Sequence, residues 1–398
     1  MEIIFYRYGS ICEPDLMDAF TACGIKIIEE ETEISQKSIS SEDRIKLLGE
    51  LILTNHPTFV FSINYFPHIS EICEKLHILY VALSVDCPVL ELFHISIHNK
   101  CNRIFLFDYM QYERFHPQNP ECIFYLPLAA NTNRWDTVIS SFTDNVRWQY
   151  SCNVSFVGSL YTEKSPLRLL ELDDFVKGYL DGLTEAQLRL SGYNIFEDAL
   201  SSAAVKALRT TDSSFYEIKN SIEDTDAYVA ANYYLSMQAS ALDRIRTLSE
   251  LGKSFDINLY TRSDTSLFAH NNKIHCLGGV TTHAEMPAVF HYSKINLNIT
   301  MKSIQSGLSQ RIWDILGCQG FLLTNYQSEL PEYFEIGKDL ECYENLTELK
   351  EKISYYLTHE EERYHISQNG YLKVKERHSY IHRVFQILKT LFPDIASD

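Results

Sequence analysis

The stretch Lys294-Ile295-Asn296-Leu297-Asn298-Ile299-Thr300, followed by Met301-Lys302-Ser303-Ile304-Gln305-Ser306-Gly307, decides the fold when read on through Thr324. The first seven residues are apolar and β-branched enough, and short enough, for a buried strand. The next seven form a polar loop carrying a glycine. Leu308, Ile312, Ile315 and Leu316 then fall at i, i+4, i+7 and i+8, one apolar helical stripe, with Ser309 placed as the N-cap. Gly317-Cys318-Gln319-Gly320 stops the helix, and Phe321 to Thr324 reads as a second buried strand. Strand, glycine-bearing loop, helix, glycine turn and strand make one βαβ unit of a parallel sheet. Such sheets bind ligands beyond the carboxyl ends of their strands, where the N–H groups of a helix start attract phosphate.

Arg311 and Asp314 share a face of that helix, being three residues apart. If the helix start points into a cleft, Arg311 can clamp a diphosphate and Asp314 can accept hydrogen bonds from ribose hydroxyls. On a solvated face the same two residues are an ordinary ion pair.

The rest of the chain sets this unit among others like it. Met1 to Tyr6, Ile25 to Ile28, Phe59 to Ile63, Ile78 to Val85, Arg103 to Phe107 and Cys122 to Leu126 read as strands, alternating with helical stretches such as Asp15 to Cys23 and Glu42 to Thr54. An acidic, serine-rich connector runs to about Ser41. That rhythm predicts a parallel sheet covered on both faces. Asn153 to Val157 opens a second such domain, with its first turn at Gly158-Ser159. From Ser165 to Ser240 the rhythm breaks into helical stripes and polar spacers, a helical insertion in the second domain that offers an acceptor surface or an oligomer contact. The sheet resumes at Ile257 to Tyr260, with Arg262 at its carboxyl end, and at Ile274 to Leu277. The last helix is predicted from about Tyr371 to Leu391.

Composition narrows the function. A chain of 398 residues, 45% hydrophobic, can bury a large core in two domains. Lys+Arg 35 against Asp+Glu 53 gives a net charge of −18, which argues against a nucleic-acid groove or an anionic membrane surface. None of the ten cysteines pairs at Cys-x-x-Cys spacing, so no metal site is expected, and they read as reduced thiols of a cytoplasmic protein. No apolar run approaches the roughly 20 residues of a membrane span.

Arg311-Ile312-Trp313-Asp314-Ile315-Leu316-Gly317-Cys318-Gln319-Gly320-Phe321-Leu322-Leu323-Thr324 resembles the donor-site helix of GT-B glycosyltransferases, and within them the CgeB-like (spore-protein) branch. The similarity continues through Gly337-Lys338-Asp339-Leu340-Glu341-Cys342-Tyr343 to Arg377-His378-Ser379-Tyr380, and Asn64-Tyr65-Phe66-Pro67 with Asp86-Cys87-Pro88 resembles the N-terminal half often joined to it. The resemblance implies an α/β GT-B fold of two Rossmann-like domains with parallel sheets facing a cleft. It places an acceptor-side domain over 1–150, a nucleotide-sugar-binding domain over 151–375 with the insertion at about 165–240, and a C-terminal helix, 376–398, packing back on the first domain. It implies a metal-independent hexosyltransferase with no cofactor beyond its nucleotide-sugar co-substrate, UDP-sugar favoured, and a protein, glycan or small-molecule acceptor. A non-catalytic sugar-binding GT-B protein and, further off, a nucleotide-sugar epimerase are the alternatives. Retaining GT-B enzymes carry two glutamates eight positions apart; here those positions are Ser306 and Asp314.

Within that resemblance Gly158, Ser159, Arg262, Lys302, Ser306, Gly307, Ser309, Arg311 and Asp314 are the candidate donor contacts. Asp86, at the end of a buried strand, is the candidate base for the acceptor hydroxyl or else a turn cap. His283 is a second candidate, meeting the sugar from the other side.

Overall fold

The computed structural model describes residues 1–36, 38–190 and 192–393. Lys37 of the predicted connector, Ser191 of the predicted insertion and residues 394–398 of the predicted C-terminal segment lie outside them. The chain divides into two units: Met1–Ala129 with Ile218–Asp224 and His378–Asp398, and Ala130–Glu217 with Thr225–Arg377.

The first unit is built on strands β1 (Glu2–Tyr6), β2 (Lys26–Glu30), β3 (Phe59–Ile63), β4 (Leu79–Leu83), β5 (Asn102–Leu106) and β6 (Ile123–Tyr125), in the order β2-β1-β3-β4-β5-β6. All neighbours are parallel. The β3 sequence Phe-Val-Phe-Ser-Ile is buried at every position, as a strand covered on both faces must be. Phe5, Phe20 and Phe61 meet at 4.9–6.3 Å between ring centroids in its core.

The second unit repeats the plan with β7 (Cys152–Val157), β8 (Ile257–Tyr260), β9 (Ile274–Cys276), β10 (Ser293–Asn298), β11 (Leu322–Asn325) and β12 (Glu341–Tyr343), in the order β12-β11-β10-β7-β8-β9 and again wholly parallel. The alternation in Ile295-Asn296-Leu297-Asn298 is resolved by chemistry rather than exposure. Ile295 and Leu297 enter the core cluster with Val154, Phe156 and Leu323. Asn296, 1% exposed, accepts from Ser155 Oγ at 2.9 Å and donates to Phe290 O at 2.9 Å. Asn298 donates to Thr324 Oγ1 at 2.9 Å. A buried amide is tolerated when its hydrogen bonds are made. Among the described residues no helix is long and apolar enough to cross a membrane.

The units part elsewhere than the sequence predicts. The first ends at Ala129 instead of near 150, because the helices Thr132–Ser140 and Asp144–Tyr150 bury Trp135 and Tyr150 in the second unit, where Tyr150 Oη donates to Glu285 at 3.2 Å. Residues 218–224, predicted as part of the insertion, return to the first unit: Ile222 N donates to Phe93 O at 2.8 Å and Ile95 N to Asn220 O at 2.9 Å. The rest of the insertion carries helices, including Asp174–Gln187 and Ser202–Thr211, and no strand among the described residues. The predicted single last helix is two, Glu360–Arg377 and Tyr380–Leu391, because Ser379 and His382 form a capping box that restarts the chain. Tyr380, Val384 and Ile387 join the core of the first unit, and Arg383 donates to Pro127 O at 2.7 Å and Leu128 O at 3.0 Å. β12 was hidden in the sequence by its shortness and its leading glutamate.

Gly370 shows how tightly the second unit closes. A Cβ built there would stand 2.2 Å from Asp339 O and 2.8 Å from Leu316 Cδ2, so the helix Glu360–Arg377 crosses a backbone carbonyl at hydrogen-only distance. Elsewhere in a helix Gly→Ala stabilises. Here Gly370→Ala is expected to destabilise the second unit by about 1–3 kcal/mol, the overpacking range, measured as a lower urea midpoint. An unchanged or raised midpoint would refute the close approach.

Candidate functional site

In the second unit the chain runs β7-β8-β9 to one side and β10-β11-β12 to the other, so the direction reverses between β7 and β10. The carboxyl ends at such a switch point are where open α/β sheets take ligands. β7 delivers Gly158 and Ser159 there, and β10 leads through Ile299 into the loop 300–309.

One buried side chain ties the two ends together. Arg244, on the helix Ser236–Leu251, donates from Nε and Nη2 to Ile299 O (3.2 and 2.6 Å) and from Nη1 to Ser159 O (2.5 Å). It is 8% exposed, its guanidinium lies 4.4 Å from the Tyr161 ring centroid, and it has no carboxylate partner among the described residues. Sequence reading missed it. The available signal was a charged residue inside the apolar stripe Ala241, Leu248 and Leu251 of a predicted helix.

The loop after β10 is held from several directions. Lys302 Nζ pairs with Asp243 at 2.7 Å, Lys302 N donates to Ser240 Oγ at 2.8 Å, and Asn194 Nδ2 donates to Lys302 O at 3.0 Å. Lys302 is thus engaged by a carboxylate, and the helical insertion braces this loop rather than standing apart from it. Ser306 Oγ donates to Glu329 at 2.6 Å, and Gln327 Nε2 donates to Gly307 O at 3.2 Å. Glu329 and Gln327 are further residues the sequence did not single out. They come from the segment after β11, too far along the chain for spacing to reveal.

At the start of the helix Gln310–Gly317, Ser309 has N-cap backbone geometry but makes no cap hydrogen bond, and its buried Oγ has no partner among the described residues. A phosphate oxygen is the kind of acceptor such a group lacks. Arg311 and Asp314 bond to each other, Nη1 to Oδ2 at 2.8 Å, and Gln310 Nε2 donates to the other Asp314 oxygen at 2.9 Å. Asp314 is 4% exposed; burial raises its carboxyl above the ordinary 3.8, against the lowering by Arg311. Arg311 and Asp314 do pair with each other, but with Asp314 buried the pair does not lie on the solvated face of an ordinary ion pair.

Ser159 Oγ and Ser263 Oγ lie 3.4 Å apart, which brings the end of β7 beside the turn that carries Arg262 after β8. Arg262 is exposed, has no ion-pair partner among the described residues, and covers Gly279, where a Cβ would meet its Cγ at 2.5 Å. His283 Nδ1 lies 3.0 Å from Arg134 Nη1 and its ring stacks on Trp135 at 6.2 Å. A guanidinium only donates, so Nδ1 carries the lone pair and Nε2 the proton.

Asp86 belongs to the first unit, beyond β4. It is exposed; Oδ2 accepts from Asn64 Nδ2 at 2.7 Å, and Asn64, at φ 59°, also donates to Tyr8 Oη at 2.9 Å. Burial, reinforced by the Asp86 charge, raises the Tyr8 phenol and keeps it neutral. Among the described residues no group of three His, Cys, Asp or Glu side chains is arranged to hold a metal ion.

Solved structures place this geometry in a known architecture. The chain is similar over 99% of its length to 99% of a glycosyltransferase from Rickettsia africae ESF-5 (TM-score 0.57, 11% identity). It is similar likewise to 99% of sucrose-phosphate synthase from Thermosynechococcus elongatus (0.57, 9%). It covers 100% of Anabaena Alr3699/HepE, solved in complex with UDP-glucose, with 99% of its own length (0.54, 9%). The fold is GT-B. Residues 243–389 also match the model of a family described as glycosyl transferase-like, a span that begins at Asp243-Arg244 and contains the loop and helix after β10 of this GT-B chain. No curated protein matches the sequence.

Two outcomes check the site. Arg244→Lys keeps the charge but not the fork, so the ends of β7 and β10 should loosen, with faster hydrogen exchange at 158–161 and 299–303 and a loss of about 1.5–3 kcal/mol. Unchanged exchange would mean the guanidinium bonds are not what joins them. For Asp314 the sign follows from its raised carboxyl: that contribution to stability is complete below pH 3.8 and is lost as pH climbs through the folded value. Arg311→Ala removes the opposing charge and should destabilise more at pH 7 than at pH 4, by up to about 3 kcal/mol given the part-exposed arginine. Asp314→Asn in the same chain should restore most of that loss.

Proposed function

We propose that the protein is a glycosyltransferase that moves a sugar from a nucleoside-diphosphate donor, UDP-sugar favoured, to an acceptor hydroxyl on a protein, glycan or small molecule. The observation that carries this reading is the glycosyl transferase-like match over residues 243–389, which falls on the switch-point half of a GT-B chain. The CgeB-like branch is our finer assignment, resting on the stretch Arg311 to Thr324. The UDP complexes of Alr3699/HepE support the choice of nucleotide. The cytoplasmic setting is likewise our reading, resting on ten cysteines scattered without Cys-x-x-Cys spacing.

In this reading Ser309, the N–H groups that follow it and Arg262 receive the diphosphate, with Gly158 and Ser159 closing its other side. Lys302, Ser306, Gly307, Arg311 and Asp314 shape the loop and the helix that present it. The acceptor oxygen bonds to the anomeric carbon as the bond from that carbon to the diphosphate oxygen breaks. The electron pair leaves with the diphosphate, and the hydroxyl proton passes to Asp86, whose Oδ1 takes no hydrogen bond among the described residues. His283 Nε2–H is a donor for a sugar hydroxyl. Cationic and helix-end groups stabilise the departing charge, so the reaction is proposed to need no metal.

A second reading, a GT-B protein that binds without turnover, is favoured by the internal Arg311–Asp314 and Ser306–Glu329 bonds. Incubation with a panel of nucleotide sugars separates these: free nucleotide supports transfer or hydrolysis, unchanged donor supports binding alone, and an isomerised donor supports an epimerase. Calorimetry with UDP in excess EDTA should show binding, and Arg262→Ala should weaken it at least tenfold. Absence of any nucleoside-diphosphate binding at millimolar concentration would overturn the reading.

A further inference from the structure

At the amino ends of the second unit's strands, opposite the switch point, lies another cavity of about 670 Å³. Cys152 and Ser293, the first residues of β7 and β10, form its edge together with Phe321 before β11. Three cations line it, Arg147, Lys294 and Arg363, against one acid, Glu360. In a chain of net charge −18, such a local excess of positive charge is not what composition alone would supply.

Each cation is poorly compensated. Arg147 and Lys294 are exposed and have no acid partner among the described residues. Arg363 is 7% exposed; its Nη1 donates to Tyr356 O at 2.5 Å, and its nearest carboxylate oxygen, on Glu360, is 3.9 Å from Nη2 on a side chain 87% exposed. Burial pulls the Arg363 guanidinium below its ordinary value, with Glu360 opposing. The remaining lining is uncharged, and two of its groups bear on the ligand. His291 Nδ1 lies 3.1 Å from Cys318 O and donates to it, which leaves the Nε2 lone pair unprotonated. Gln319 holds φ at +63°, a conformation a glycine would adopt without strain, yet the position carries an amide that faces the cavity.

We propose that this cavity is a second ligand site that binds a phosphorylated small molecule, separate from the switch-point site at the other end of the same strands. A phosphate offers several acceptor oxygens and at least one full negative charge, which matches guanidinium and ammonium donors converging on a polar, open cavity. The proposal does not depend on the glycosyltransferase reading, because none of its residues belongs to that site.

Inorganic pyrophosphate is the probe, titrated by calorimetry into the full chain. Wild type should bind it, and the exposed double substitution Arg147→Gln with Lys294→Gln should lower the affinity at least tenfold while the melting temperature without ligand stays within a degree or two. Arg262→Ala, at the other end of the sheet, should leave a pyrophosphate event of wild-type strength. No binding by wild type at millimolar concentration, or a double variant that binds as wild type does, overturns the proposal. So does loss of all binding in Arg262→Ala, which would assign the anion to the switch point.

Discussion

A buried arginine that spends its hydrogen bonds on backbone carbonyls is the constraint the second unit depends on. β7 and β10 pair directly, and their ladder stops at Phe156 and Leu297, so the residues beyond need other partners at the switch point. Arg244 bonds Ser159 O on one side and Ile299 O on the other, converting two loose strand ends into one floor. Its charge is delocalised over a plane that also rests on Tyr161, so partial burial is tolerated without a carboxylate. The loop 300–309 then springs from a fixed point and is held along its length by Asp243, Asn194, Gln327 and Glu329.

That architecture explains which parts of the molecule were legible in the sequence. Phe59–Ile63 and Ile257–Tyr260 match their predicted bounds because a strand buried on both faces must be apolar throughout or carry polar residues that bond internally. The helix Gln310–Gly317 was legible for the same reason: its stripe period and glycine stop are local properties. Residues 218–224 were not legible, since their partners, Phe93 and Ile95, lie more than a hundred positions away. The restart at Ser379 was missed because the stripe continues through it, and only the Ser379–His382 cap reveals the break.

The site was legible as a region and less so as a set of contacts. Ser309 and Arg262 stand where spacing placed them, at a helix start and a strand end. Lys302, Ser306 and Arg311 stand there as well, but each is already engaged by a carboxylate, of Asp243, Glu329 or Asp314. Sequence spacing identifies which residues share a face; it carries no information on which acid from a distant segment reaches them first. Glu329 is the instructive case, because it places a buried carboxylate on Ser306, a position whose own side chain has none.

The two sheets, built alike, treat their first phosphate-sized opening differently. After β1 the N–H groups of Tyr8, Gly9 and Ser10 converge as they would on an anion, but Glu13 Oε1 accepts all three at 2.8–2.9 Å, and its other oxygen accepts from Arg7 at 3.1 Å. Glu13 is 1% exposed, so a phosphate could enter only by displacing a buried, fully bonded carboxylate. The first unit has filled its own anion nest. In the second unit the corresponding demand is left open: Ser309 caps nothing, and exposed Arg262 faces no acid among the described residues. An anionic group that binds this chain at a strand-end switch point therefore has a reason to choose the second sheet.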